Sequence, residues 1–178
     1  KATLQEIVCD GAPGRVVVGA AMVGRIVHIP LDGTRAIFCD RGAYLAHTGD
    51  IEISIGITKK IRTGLFGGNG FIMQRISGYG DVFLHALGSV IPMRLKSNGE
   101  AIVNTRNLLA FDDSVSHDIT LSGGPFTMWF GGQGIFLAKL KGPGRVIAHS
   151  IDHHAFVEYL KLPNKKGTSE APPSDNKK

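Results

Sequence analysis

Cysteine is scarce: Cys9 and Cys39 are the two in 178 residues. Two cysteines make no disulfide framework and exclude a cysteine-rich metal module. Long hydrophobic runs are missing too. The longest, Val16 to Gly24, lies between Arg15 and Arg25. It is too short to cross a bilayer as a helix, which takes about 20 residues. It reads as a buried strand or two, so any membrane contact is expected to be peripheral. No basic start, apolar centre and small-residue cleavage site precede the first strand, as a secretory signal would require. The chain starts at Lys1 rather than Met, as a processed protein or a fragment would. A large excess of one charge is absent as well. The formal net charge is +5, and the segment 164–178 accounts for +2 of it through four Lys against Glu170 and Asp175. The mildly basic remainder suits an acidic partner such as RNA or anionic lipid.

What the chain has is glycine, 24 residues or about 13%, roughly twice the usual share. With 43% hydrophobic and 20% charged residues it is globular. Short β-branched or aromatic runs alternate with Gly-rich turns. They predict strands over Leu4–Cys9, Arg15–Gly19, Ile26–Leu31, Ala36–Cys39, Ala43–Ala46 and Ile51–Ile57. Further strands are expected over Gly70–Ile76, Val82–His85, Val90–Leu95, Ala101–Val103, Leu108–Phe111 and Val115–Thr120. The last are Phe126–Phe130, Gly134–Leu140 and Arg145–His149. This spacing argues for an all-β sandwich or barrel. One segment departs from it. Ala155, Phe156, Tyr159 and Leu160 recur at helical spacing between Asp152 and Leu162, with Asp152 or Ser150 as cap and Pro163 as stop. The helix is expected to pack by its Phe156/Leu160 face. The polar segment 163–178 lacks apolar anchors and is expected to order only against a partner.

Self-comparison reveals an internal repeat. The run F-G-G-N-G-F from Phe66 to Phe71 recurs as F-G-G-Q-G-I from Phe130 to Ile135, 64 residues on. At the same offset Ile76, Gly78, Gly80, Val82 and His85 match Leu140, Gly142, Gly144, Val146 and His149. Upstream, Gly24, Ile29, Leu31, Ala46 and Ile51 match Gly88, Met93, Leu95, Ala110 and Val115. The N-terminal C-D-G-A-P-G-R-V resembles K-G-P-G-R-V at 141–146. The organisation read from this is the tail end of an incomplete first β-unit at 1–33, a second unit at 34–97, a third with the helix at 98–162, and the tail at 163–178. The glycine loop G-L-F-G-G-N-G is neither a Walker loop nor a dinucleotide fingerprint. A turn that needs positive φ is required in every copy, which a catalytic loop is not.

The motifs G-L-F-G-G-N-G-F, S-G-Y-G-D-V-F-L, V-I-P-M-R-L, N-T-R-N-L-L-A-F-D-D-S-V and F-G-G-Q-G-I-F-L-A-K-L-K-G-P-G-R-V occur in this order. On these the chain resembles the altered-inheritance-of-mitochondria protein 24 family over nearly all of Leu4 to Leu160. The resemblance implies mitochondrial localisation. It also implies an all-β, tryptophan RNA-binding attenuation protein-like fold with three units around a pseudo-threefold axis. His28 stands where that family usually has Pro, and Arg106 where Gly is usual. The family supplies no catalytic residues to carry over.

Individual side chains point away from catalysis. His85 and His149 occupy matching positions, which a shared metal site could use, but a strand-end role without a ligand is expected. Adjacent Asp112 and Asp113 face opposite sides of a strand and make no acid–base pair. Asp50 and Glu52 have no nucleophile beside them. Ser114, Ser116 and His117 lack a G-x-S-x-G elbow. Cys9 and Cys39 read as buried thiols acting as small hydrophobes. Basic residues carry the remaining signal. Lys59, Lys60 and Arg62 cluster before the glycine turn; Arg75 and Lys139 are repeat equivalents; Lys141 shares a strand face with Lys139. With Lys165 and Lys166 of the tail these are the expected contacts to nucleic acid or another acidic partner, although no aromatic stacking platform accompanies them.

The expected fold is thus all-β, built of repeated, pseudo-symmetric β-sandwich units of about 64 residues, double-stranded β-helix-like, with one short C-terminal helix. The expected function is that of a non-enzymatic structural or binding protein. It would dock with protein partners as a subunit of a larger assembly, such as a ribonucleoprotein like the mitochondrial ribosome. No catalytic, metal or cofactor residue is assigned. A peripheral organiser of inner-membrane complexes and a small-ligand-binding or enzymatic β-helix protein are the alternatives.

Overall fold

The structure, a computed structural model, describes residues 4–20, 22–59, 71–122 and 135–161. Strands dominate them, with one short helix. In chain order they are β1 (Gly24–Asp32), β2 (Ile37–Asp40), β3 (Tyr44–Lys59), β4 (Phe71–Leu87), β5 (Val90–Leu95), β6 (Glu100–Asn104), β7 (Leu108–Asp112), β8 (Ser116–Ser122), β9 (Ile135–Lys141) and β10 (Gly144–His149). Helix α1 (His153–Lys161) follows.

The larger antiparallel sheet runs β1-β4-β2-β7-β10-β5, with β3 also pairing β4; the smaller runs β6-β9-β8. Alternation of exposed and buried residues in β1 puts Ile29 and Leu31 in the core and His28 and Pro30 outside. Pro30 and Pro92 lie on β1 and β5, the two ends of the larger sheet, where a missing N–H costs no ladder bond.

Two pairs of predicted strands are each one long strand. Ala43–Ala46 and Ile51–Ile57 belong to β3, apart from Ala43 in the turn before it, and Gly70–Ile76 and Val82–His85 belong to β4, apart from Gly70, which lies outside the described residues. The glycines between them do not make turns. Gly49, Gly78 and Gly80 have φ of +83°, +118° and +154°. A Cβ on Gly80 would collide with the Thr48 carbonyl, and one on Gly78 with that of Asp50. Glycine lets both strands bend and stay paired.

The registers align across the chain. In the first strand group Ile26 faces His85, Ile37 faces Ile76, and Tyr44 faces Leu84. In the second, Val90 faces His149, Ala101 faces Leu140, and Leu108 faces Ala148. One ladder joins the groups: Ile37, Phe38 and Cys39 of β2 face Asp112, Phe111 and Ala110 of β7. The core spans that seam. Ile29, Ile37, Cys39, Val82 and Leu84 pack with Leu109, Ala110 and Ile147 in one cluster. Met73 joins Leu108, Phe111, Leu140 and Val146 in the other. Each such Leu or Ile contributes about 1.5–3 kcal/mol by leaving water.

Three expectations are corrected. Leu4–Cys9 and Arg15–Gly19 are not strands: residues 4–20 are almost wholly exposed, and no described strand pairs with them. Strand propensity without a ladder partner leaves backbone groups to water. Cys9 is exposed there, not buried. In α1 the cap is Asp152, whose Oδ1 accepts from the Ala155 N–H at 3.4 Å, but Leu160 is exposed while Phe156 is half-buried. The predicted Phe126–Phe130 strand, the two glycine loops and the 163–178 tail lie outside the described residues.

Candidate functional site

The described basic residues among those expected lie on two different sheets. Arg75 lies on β4 of the larger sheet, with Asp113 at 3.9 Å. Lys139 and Lys141 lie on β9 of the smaller sheet and share Glu100, at 3.5 and 3.9 Å. All are solvent-facing pairs of small energetic weight. Lys59 ends β3 opposite Phe71. Lys60, Arg62, Lys165 and Lys166 lie outside the described residues.

A stronger pair was not legible in the sequence. Asp112, at the end of β7, is buried and accepts from the Arg145 backbone N–H at 2.8 Å and from its guanidinium at 2.9 Å. Asp112 and Arg145 meet because β7 and β10 run side by side.

His149 sits at the seam between the strand groups and is itself buried. Its Nδ1 accepts from the Leu87 N–H of the first group at 3.1 Å. Burial pushes its pKa down, opposed by a hydrogen bond to the Arg106 backbone and by the charges of Asp40 and Asp152. The neutral ring is the form that can accept from Leu87. The carboxyl of Asp40 is crowded by protein although the residue keeps exposed surface, and burial pushes its pKa up, opposed by backbone donors at Gly42 and Arg41 and by His149. No group of three or more metal-ligating side chains occurs among the described residues. Burial pushes the Cys39 thiol up to about 12, which makes it a poor nucleophile. Ser114 donates to the Pro143 carbonyl at 2.8 Å. The His117 ring centroid lies 5.4 Å from that of Phe111 and 5.9 Å from that of Phe38.

The first strand group has an open side. Residues 44–47 of β3 are half-buried and 48–50 exposed. In β7, by contrast, every residue is buried. β7 has β10 on one side and β2 on the other; β3 pairs β4 alone. Across β4 from β3, Ile26 of β1 is 52% exposed. His28 stacks on Phe83, ring centroids 5.2 Å apart, and bonds Asp81 at 2.5 Å. The His85 Nε2 is buried without a hydrogen-bond partner among the described residues. These side chains share one face of the β1–β4 ladder, because Ile26 faces His85, His28 faces Phe83 and Pro30 faces Asp81.

No helix among the described residues is long and apolar enough to cross a membrane. A family model described as mitochondrial biogenesis AIM24 matches residues 1–151. No curated protein matches the chain. A Streptococcus pyogenes protein solved by X-ray crystallography is similar in fold, with a TM-score of 0.65 at 21% identity. The match covers 79% of this chain and 61% of that one, so this chain spans less than two thirds of its length.

Proposed function

The chain belongs to the mitochondrial biogenesis AIM24 family, and from that premise we propose that it is a non-enzymatic β-scaffold. It docks as a subunit into a larger mitochondrial assembly. The observation that carries this reading is the open side of the first strand group, where β3 is exposed at positions that β7 buries. A half-open apolar sheet edge is costly alone and is managed by covering it.

The scaffold is read as two copies of one plan, β1 to β4 and β5 to β10. What supports this is the common offset of the ladders. Ile26–His85 and Val90–His149, Ile37–Ile76 and Ala101–Leu140, Tyr44–Leu84 and Leu108–Ala148 all differ by 64. A cut near Gly88 rather than after Leu95 keeps each of these ladders within one copy and leaves the β2–β7 ladder to join the two. The assembly is a ribonucleoprotein in the version that uses the basic residues, with Lys59, Lys60, Arg62 and the tail as the contacts, since Lys139 and Lys141 already share Glu100.

Sedimentation of the native protein from mitochondrial lysate, with and without ribonuclease, tests the reading. Migration with a large particle is expected; collapse on ribonuclease identifies an RNA-built one, and indifference to it a protein one. Migration as a small species in both samples would overturn the docking role.

A further inference from the structure

His149 ends β10 and is 7% exposed. Its ring ties together two parts of the fold. Nδ1 accepts from the N–H of Leu87, the last residue of β4, at 3.1 Å. The ring proton is therefore on Nε2, and the hydrogen bond to the Arg106 backbone uses it, the carbonyl accepting. Both bonds need one state of the imidazole, neutral with its proton on Nε2. A second proton would go to Nδ1 and set the ring N–H against the N–H of Leu87, donor against donor. Leu87 is 6% exposed, so leaving its N–H unpaired in place is costly. The relief open to it is for the corner at 87–89 to move toward water. Two bonds beside it do not titrate. Ser89 donates its N–H to the Ser150 Oγ at 2.9 Å, and Ser150 donates its own to the Ser89 carbonyl at 3.0 Å. They keep the release local to Leu87.

We propose that His149 is a proton-operated latch: neutral, it holds the Leu87 corner to the end of β10, and protonated at Nδ1 it lets that corner go. This device is independent of the docking reading. The titratable and charged groups around the ring decide when it works. Asp40 at the end of β2 and Asp152 ahead of α1 favour the proton, while burial and His85 of β4 oppose it. Arg106 pairs with Asp152 at 3.3 Å, and Arg41 lies beside Asp40. β5 brings only uncharged Val90 opposite. The repeat position alone makes no latch. His85, 64 residues earlier, has a buried Nε2 without a hydrogen-bond partner among the described residues. The ring is held below its ordinary pKa of 6.5. As pH falls below 6.5 the open corner takes the proton first, so opening gains up to about tenfold per pH unit until the closed form is protonated too.

The test is hydrogen exchange of the 178-residue chain followed by NMR, with rates converted to protection factors to remove the intrinsic effect of pH. Protection of the Leu87 amide is expected to fall at least about threefold from pH 7.5 to 5.5, while that of the β9 amides in the other sheet holds. His149→Gln offers an acceptor and a donor but no titration, and should keep Leu87 protected across the range. Asp40→Asn removes a carboxylate that favours the proton and should move the fall to lower pH; it carries the test if His149→Gln does not fold. Constant protection of Leu87, an equal fall in β9, the same fall in His149→Gln, or an unmoved midpoint in Asp40→Asn overturns the latch.

Discussion

The first half of β3 and the whole of β7 are both strands of the larger sheet, yet they differ in their access to water. Tyr44 to His47 keep partial contact with water and Thr48 is exposed, while Leu108 to Asp112 are all buried. Their own residues do not explain this, since Y-L-A-H-T and L-L-A-F-D are both strand-compatible. The difference is the neighbour: β7 has β2 at its second edge and β3 has none among the described strands. Burial of a strand is thus a property of the seam, not of the strand.

The comparison can be broken hardest at the glycines. Gly80 and Gly144 both have positive φ, but a Cβ at Gly80 meets the Thr48 backbone and one at Gly144 meets side chains of Val115 and Ser114. Gly80→Ala should cost about 4 kcal/mol in urea unfolding and Gly144→Ala about 2, since side chains can yield and a carbonyl cannot. Next come the strands themselves. Leu109→Ala should cost about 3 kcal/mol, its side chain being fully buried. Leu45→Ala, at the open position, should cost about 1. Equal losses in calorimetry would mean that the edge of β3 is already covered.

A smaller contrast concerns charge. Asp112→Asn leaves the Arg145 guanidinium without its carboxylate and should cost about 2 kcal/mol; Thr48→Ala, at the matching place, should stay within about 0.5. The smallest effect is acid sensitivity of the seam. The folded pKa of His149 lies below its ordinary 6.5, so the folded state binds its proton less readily than the unfolded state does. Its contribution is present above pH 6.5 and is lost as pH falls below it toward the folded pKa. Asp40, Asp152 and His85 face it and set how far. His149→Gln should flatten the stability slope between pH 7 and 5. An unchanged slope would assign it to other groups.

Much of the larger sheet was legible because periodicity and turn glycines are local signals. The bounds expected for Val90–Leu95 are those of β5, and Asp152 is one of the two caps expected for the helix, the other being Ser150. Leu4–Cys9 and Arg15–Gly19 are not strands because a strand needs a partner that no local pattern can promise. Gly78 and Gly80 were read as a break because glycine marks a turn and a close strand crossing alike. The Asp112–Arg145 pair was invisible because it depends on which strands lie side by side. The same holds for the open edge: nothing in Y-L-A-H-T says that its neighbour is missing.

The order of strands along the chain has a consequence for synthesis. β4 comes last in its group, yet β1, β2 and β3 all pair with it. A chain emerging from its N-terminus therefore carries three strands with no lasting partner until β4 begins to appear at Phe71. β3 and β2 then pair with its first half as it emerges, and β1 closes last, against Tyr79–Leu87. Until β4 arrives the nascent chain exposes unpaired strand sequence, and this is the stage at which a chaperone has the most to hold.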